Sequence, residues 1–97
     1  MVVIVGLRKL TNGGIQIRIT RPRQGSSAAQ TYTNEDDARE VLRRMGVGEN
    51  AIDYYLLTLL PWLSGGEQLM FPPMDIPLSR LSPLGFKVGR IPLVRQP

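Results

Sequence analysis

Residues 50–63, NAIDYYLLTLLPWL, form the most apolar run of the chain and constrain its fold more than any other stretch. Projected at about 100° per residue, Ile52, Tyr55, Leu56, Leu59, Leu60, Trp62 and Leu63 fall within one arc roughly 160° wide. A helix resting on a surface needs a narrower stripe. An arc this broad predicts a helix gripped from two sides, with the rest of the chain arranged to keep it dry. A second flank, formed by Tyr54, Leu57 and Leu60, then needs the C-terminal segment or a second subunit as cover.

The 97 residues suffice for one domain spanning 1–97, with a single hydrophobic core. There is no cysteine, which removes disulfides, thiolate nucleophiles and cysteine-based zinc sites. There is no histidine either. That takes away the commonest general base, the commonest metal ligand and every Ser-His or Cys-His arrangement. No enzyme activity, metal or cofactor is expected. The opening MVVIVG runs directly into Arg8 and Lys9, with no basic segment before it, and is too short for a leader or a membrane span. It reads as a strand, in a protein expected to be cytoplasmic and off the membrane.

Net charge is +4, unevenly distributed. Residues 1–30 carry Arg8, Lys9, Arg18, Arg21 and Arg23 and no acid, whereas residues 31–75 hold all eight acids against three arginines. From Ile76 onward the charges are again basic: Arg80, Lys87, Arg90 and Arg95. Two basic ends around an acidic middle are either self-complementary or leave a basic surface for a polyanion.

Periodicity supplies the remaining elements. Val3, Val5 and Leu7 alternate with other residues, as do Ile15, Ile17 and Ile19, and TNGG lies between the two runs. A two-residue turn at Asn12 and Gly13 would pair Leu7 with Arg18 and split the apolar set between two faces. A three-residue loop of Asn12, Gly13 and Gly14 pairs Lys9 with Ile17 and Leu7 with Ile19, and gathers the set on one face. The bulged loop is therefore predicted, with Arg8, Gln16, Arg18 and Thr20 facing the other way. Residues 21–30, RPRQGSSAAQ, read as a mobile connection, followed by a short third strand around Thr31, Tyr32 and Thr33.

A helix is predicted next, capped by Thr33 or Asn34, with Glu35, Asp36 and Asp37 at the positive end of its dipole. Ala38, Val41, Leu42 and Met45 make its buried stripe and Gly46 its left-handed stop. The central helix follows at once, with Pro61 ending or kinking it. A strand is expected over 67–71, broken by Pro72 and Pro73, then helical turns started by Pro77 and Pro83. Residues 87–97 are expected to form an extended tail. The fold class is thus α+β: an N-terminal antiparallel hairpin extended by one or two short strands, packed on a helix pair, with a Pro-rich irregular C-terminal segment.

Several groupings of residues bear on function. The helix pair has the spacing of a helix-turn-helix, with Gly46 in the turn. Its second helix, however, has Asp53 as its only charge and no basic residue to enter a groove, so a structural helical hairpin is the better reading. The hairpin arginines Arg8, Arg18, Arg21 and Arg23 are the nucleic-acid candidates, against the plain alternative that basic residues protect strand edges. Residues 1–30 contain no aromatic for base stacking. The acids Glu35, Asp36, Asp37 and Glu40 point to different faces and do not converge. The stretch LMFPPM is proline-stiffened and methionine-rich, suited to lining a protein-binding groove through Met70 and Met74 or to plugging the core with Met70 and Phe71. The leading expectation is a non-catalytic interaction module. It would bind a protein partner or form a homodimer through Tyr54, Leu57, Met70 and Met74 or through a sheet edge. The alternative is a nucleic-acid-binding accessory protein using the basic hairpin.

Overall fold

A computed structural model describes residues 1–63 and 65–87. The alternating apolar residues form the expected hairpin, β1 (Val2–Lys9) and β2 (Ile15–Arg21), with Val3, Val5, Leu7, Ile15, Ile17 and Ile19 buried on one face. The pairing differs from the predicted one by two residues. Lys9 lies opposite Ile15, Leu7 opposite Ile17 and Val5 opposite Ile19. The loop does have three residues, but they are Thr11, Asn12 and Gly13. Leu10 N–H donates to Gly14 O at 2.9 Å, and Gly13 N–H to Leu10 O at 3.1 Å. Gly13, at φ 89°, takes the left-handed position. Asn12 decides the shift: from its place in the turn its Oδ1 accepts the Gly14 N–H at 2.9 Å. A slip of two residues preserves side-chain parity, so the buried face survives it.

Residues 21–30 are not a loop throughout. Only Pro22, Arg23, Gln24 and Gly25 turn, with the Gln24 and Gly25 amides donating to Arg21 O at 3.1 and 3.0 Å. β3 (Ser26–Tyr32) then pairs with β2 along all seven of its residues. SSAAQ carries too little apolar signal to alternate, and it is drawn into the sheet by the ladder of β2 rather than by its own propensity.

On its other side β1 carries β4 (Gln68–Met70), where a strand was predicted over 67–71, and β5 (Met74–Asp75). The strand order is β3-β2-β1-β4, with β5 on the first residues of β1. Pro72 and Pro73 separate β4 from β5, since neither supplies an N–H for a ladder. The amino-terminal ammonium forms an ion pair with Asp75.

Helix α1 (Glu35–Met45) starts on Asn34, whose Oδ1 accepts the Asp37 N–H at 2.9 Å. It lays Ala38, Leu42 and Met45 on the sheet. At its end Gly46, φ 100°, donates to Arg43 O, while Val47 donates to Leu42 O at 3.1 Å and is buried. Helix α2 (Glu49–Asp53) begins after Gly48 and runs without a break into a π-helical segment, Tyr54–Leu59, and a tight 3-10 turn, Leu60–Trp62. Pro61 lies just past the widened stretch and has no N–H to extend an α-helical ladder. Leu60 N–H instead reaches back five residues to Tyr55 O.

The rod is central, as its sequence implied, but it is not uniform. Ile52, Leu56 and Leu60 are buried, and Tyr55, Leu59 and Leu63 half-buried. Trp62, predicted inside, is 86% exposed. A projection at constant pitch fails here because π and 3-10 turns wind at different rates from an α-helix. Leu60, assigned to the outer flank, is also a core residue. The Tyr55 and Phe71 rings stack at 3.9 Å between centroids and 11° between planes, fastening the π segment to the residue after β4.

The last described residues close the core. Helix α3 (Leu78–Leu81) follows Pro77, and a 3-10 turn, Ser82–Leu84, contains Pro83, both as predicted. Leu81 and Phe86 are buried in the same cluster as the sheet and helices. The predicted tail lies outside the described residues beyond Lys87. Among the described residues no helix is long and apolar enough to cross a membrane.

Candidate functional site

Several large apolar and aromatic side chains of the central rod are exposed. Residues 54–66, YYLLTLLPWLSGG, carry no charge. Tyr54 is 53% exposed, Leu57 55% and Trp62 86%. Ile52, Leu56 and Leu60 anchor the rod, while Tyr54, Leu57 and Thr58 between them are exposed. Tyr54 is steadied by an edge-on contact with Tyr55, ring centroids 5.9 Å apart. Lys9 Nζ donates to Pro61 O at 3.4 Å from the end of β1.

The two methionines named with this flank are not brought together. Met70 pairs across from Gly6 and faces the open side of the sheet at 56% exposure. Met74 pairs across from Val3, half-buried against the core. Ladder partners share a face, so the two lie on opposite faces of the sheet. Phe71 is buried in the core, as the other reading of that stretch required, but Met70, which that reading placed in the core beside it, is not.

The open face of the sheet is polar and basic. Arg8, Gln16, Arg18 and Thr20 point to it, as predicted from the hairpin, together with Ser27, Ala29 and Thr31 of β3. Arg18 Nη1 donates to Ser27 Oγ at 2.9 Å. Arg8 Nε and Gln16 Oε1 face each other's strands and are buried without a hydrogen-bond partner among the described residues. Gln68, opposite Arg8, reaches with its side chain over Gly6, into space that a Cβ there would fill. The other two hairpin arginines are elsewhere. Arg21 and Arg23 line a cleft of about 420 Å³ with Met1, Val2, Pro22 and Gln24, at the far end of the hairpin. The four residues thus form two pairs rather than one patch.

The acids sit on the helical layer and are largely answered there. Arg39 pairs with Asp53 and, at 3.4 Å, with Glu35. Arg43 bridges Glu49 and Glu40, the latter at 2.7 Å, and Arg44 meets Glu40 at 2.9 Å. Hydrogen bonds from Arg44 and Arg43 hold the Glu40 carboxyl below its usual range, and Arg43 does the same for Glu49. Burial pushes the Tyr32 phenol up. All three arginines of the acidic middle are therefore engaged by carboxylates, whereas the open sheet face carries Arg8 and Arg18, with Asp75 of β5, paired to the amino terminus, as its strand acid among the described residues. Among the described residues no three acidic side chains converge to hold a metal ion.

No family model, curated protein or solved structure matches this chain. The surfaces carry only the meaning their own chemistry gives them. Tyr54 and Leu57 are exposed, and so is Trp62, which the sequence placed inside although Pro61 beside it was a sign that regular helical winding ends there. Sequence reasoning also missed the length of the β3 edge, for which SSAAQ gave no periodic signal.

Proposed function

We propose that this protein is a non-catalytic interaction module that engages a protein partner through the flank formed by Tyr54, Leu57 and Trp62. The observation that carries the reading is Trp62, a tryptophan left 86% exposed within a run of residues, 54–66, that carries no charge. Tryptophan and tyrosine dominate the energetics of protein interfaces because they bury a large area with few rotatable bonds. The flank contributes little to its own fold, whose core is already closed by Leu56, Leu60, Leu81 and Phe86. The cysteine-free sequence suits a reducing compartment, in keeping with a cytoplasmic protein.

Affinity capture, identification of what is retained, and titration of that purified protein test the proposal. Trp62→Ala and Leu57→Asp are each expected to weaken the complex at least about tenfold, in the range of an interface hot spot, with Arg18→Ala leaving it unchanged. Undiminished binding by both flank variants refutes the reading.

A second reading rests on the charge asymmetry: Arg8 and Arg18 stand on a face whose strand acid among the described residues, Asp75, is taken by the amino terminus, backed by a helical layer that holds most of the acids. This favours a polyanion on the open sheet. Nucleic acid bound there dissociates steeply as salt rises, and Arg8→Ala with Arg18→Ala flattens that dependence. Absence of any mobility shift at low salt removes the second reading.

A further inference from the structure

The two edges of the sheet differ. β4 offers three residues, whereas β3 offers seven, and no strand lies beyond β3 among the described residues. Long edge strands are usually blunted by a lysine, a proline or a bulge, because their outward amides and carbonyls are a template for another chain. The sequence of β3, SSAAQTY, has neither charge nor proline, and it pairs with β2 without interruption. Its flanks are charged and opposite in sign. The turn before β3 carries exposed Arg23, and just after β3 comes the first turn of α1 with Glu35, Asp36 and Asp37.

We propose that β3 pairs antiparallel with the β3 of a second copy of this chain, about a twofold axis at Ala29. The two sheets join into one. Reversal of direction sets the basic end of each strand beside the acidic end of the other, the turn that carries Arg23 beside the partner's first helical turn with its three acids. On the open face Ser27 stands opposite the partner's Thr31, a hydroxyl pair favoured across strands. At the axis Ala29 meets its own copy, with no side chain large enough to hold the backbones apart. Such a contact is isologous and closes at two. Two seven-residue edges bury less than a permanent dimer does, so the association is weak and depends on concentration. It uses a surface separate from the Tyr54 and Trp62 flank and does not rest on that reading.

Sedimentation of the full chain between about 10 µM and about 1 mM tests the pairing. The mass is expected to rise toward twice the 10.8 kDa of one chain. Ala29→Lys and Ala29→Glu each set like charges face to face at the axis and raise the dissociation constant about tenfold or more. Mixing the two variants restores the dimer as a heterodimer, an outcome that a folding defect does not produce. Higher salt weakens the wild-type dimer several-fold by screening Arg23. A chain monomeric throughout, a dimer indifferent to both substitutions, a mixture that stays monomeric, or a dimer abolished by Leu57→Asp instead each overturns the proposal.

Discussion

Leu56 and Leu57 are adjacent in sequence and opposite in environment, which makes them a direct test of how the central rod is wound. Leu56 is 2% exposed within the core cluster, and Leu57 is 55% exposed on the outer flank. Leu56→Ala deletes roughly two to three buried carbon groups at about 0.8 kcal/mol each. The cavity left behind adds to that loss, for a total of about 3–4 kcal/mol. For a domain of this size, whose whole stability is about 5–15 kcal/mol, that is a large share. The melting temperature should fall by about 12–32 °C. Leu57→Ala removes carbons already half in water, and the slightly better helix propensity of alanine offsets part of the loss. Its net effect should stay within about 0.5 kcal/mol. Urea denaturation read by circular dichroism separates the two, with the midpoint moving for Leu56→Ala and the slope unchanged in both. Equal costs at the two positions would refute the winding described here, and with it the claim that the flank is spare to the fold.

Three further outcomes are expected. Asn34→Ala should cost about 1 kcal/mol by stranding the Asp37 amide, whereas Asn34→Asp, which keeps an acceptor, should be nearly neutral in the same denaturation assay. Gly46→Ala should destabilise by about 1–2 kcal/mol, because φ of 100° is strained for any Cβ and the Arg80 guanidinium occupies the space it would enter; Arg80→Ala should relieve only the steric part. Glu40 and Glu49 have lowered folded-state pKa values, so their contribution is complete above the ordinary glutamate value of 4.5 and is lost as pH falls through the lowered ones. Melting temperatures measured on acidification should therefore drop, and the drop should shrink in Arg43→Ala.

What the sequence made legible was whatever a local rule controls. Isoleucines at every second position of β2 give a face, Asn34 followed by three acids gives a helix start, and Gly46 before Val47 gives its end. The hairpin register was off by two because parity fixes which side chains are buried but not which of two glycines takes the left-handed position. Tertiary context decided the rest. Ser26 to Gln30 have no strand signal of their own and become a strand because β2 offers a free edge. Trp62 lies outside because a helical projection assumes one pitch, and the pitch changes at Tyr54 and again at Leu60, just before Pro61. The candidate residues fared similarly. Tyr54 and Leu57 share a surface as expected, while Met70 and Met74 are separated by the thickness of the sheet, which no spacing rule on a proline-broken segment reveals.

β1 holds three neighbours, and only β2 is close to it along the chain; β4 and β5 come from beyond residue 67. Made from its amino end, the polypeptide would have its first hairpin ready long before the segments that dock on the other side of β1. During that interval the bare backbone of the sheet's middle strand is itself a temporary edge, and the isoleucine face is wet until α1 arrives. Completion of the fold waits on a contact spanning most of the chain, which slows the final step relative to the first.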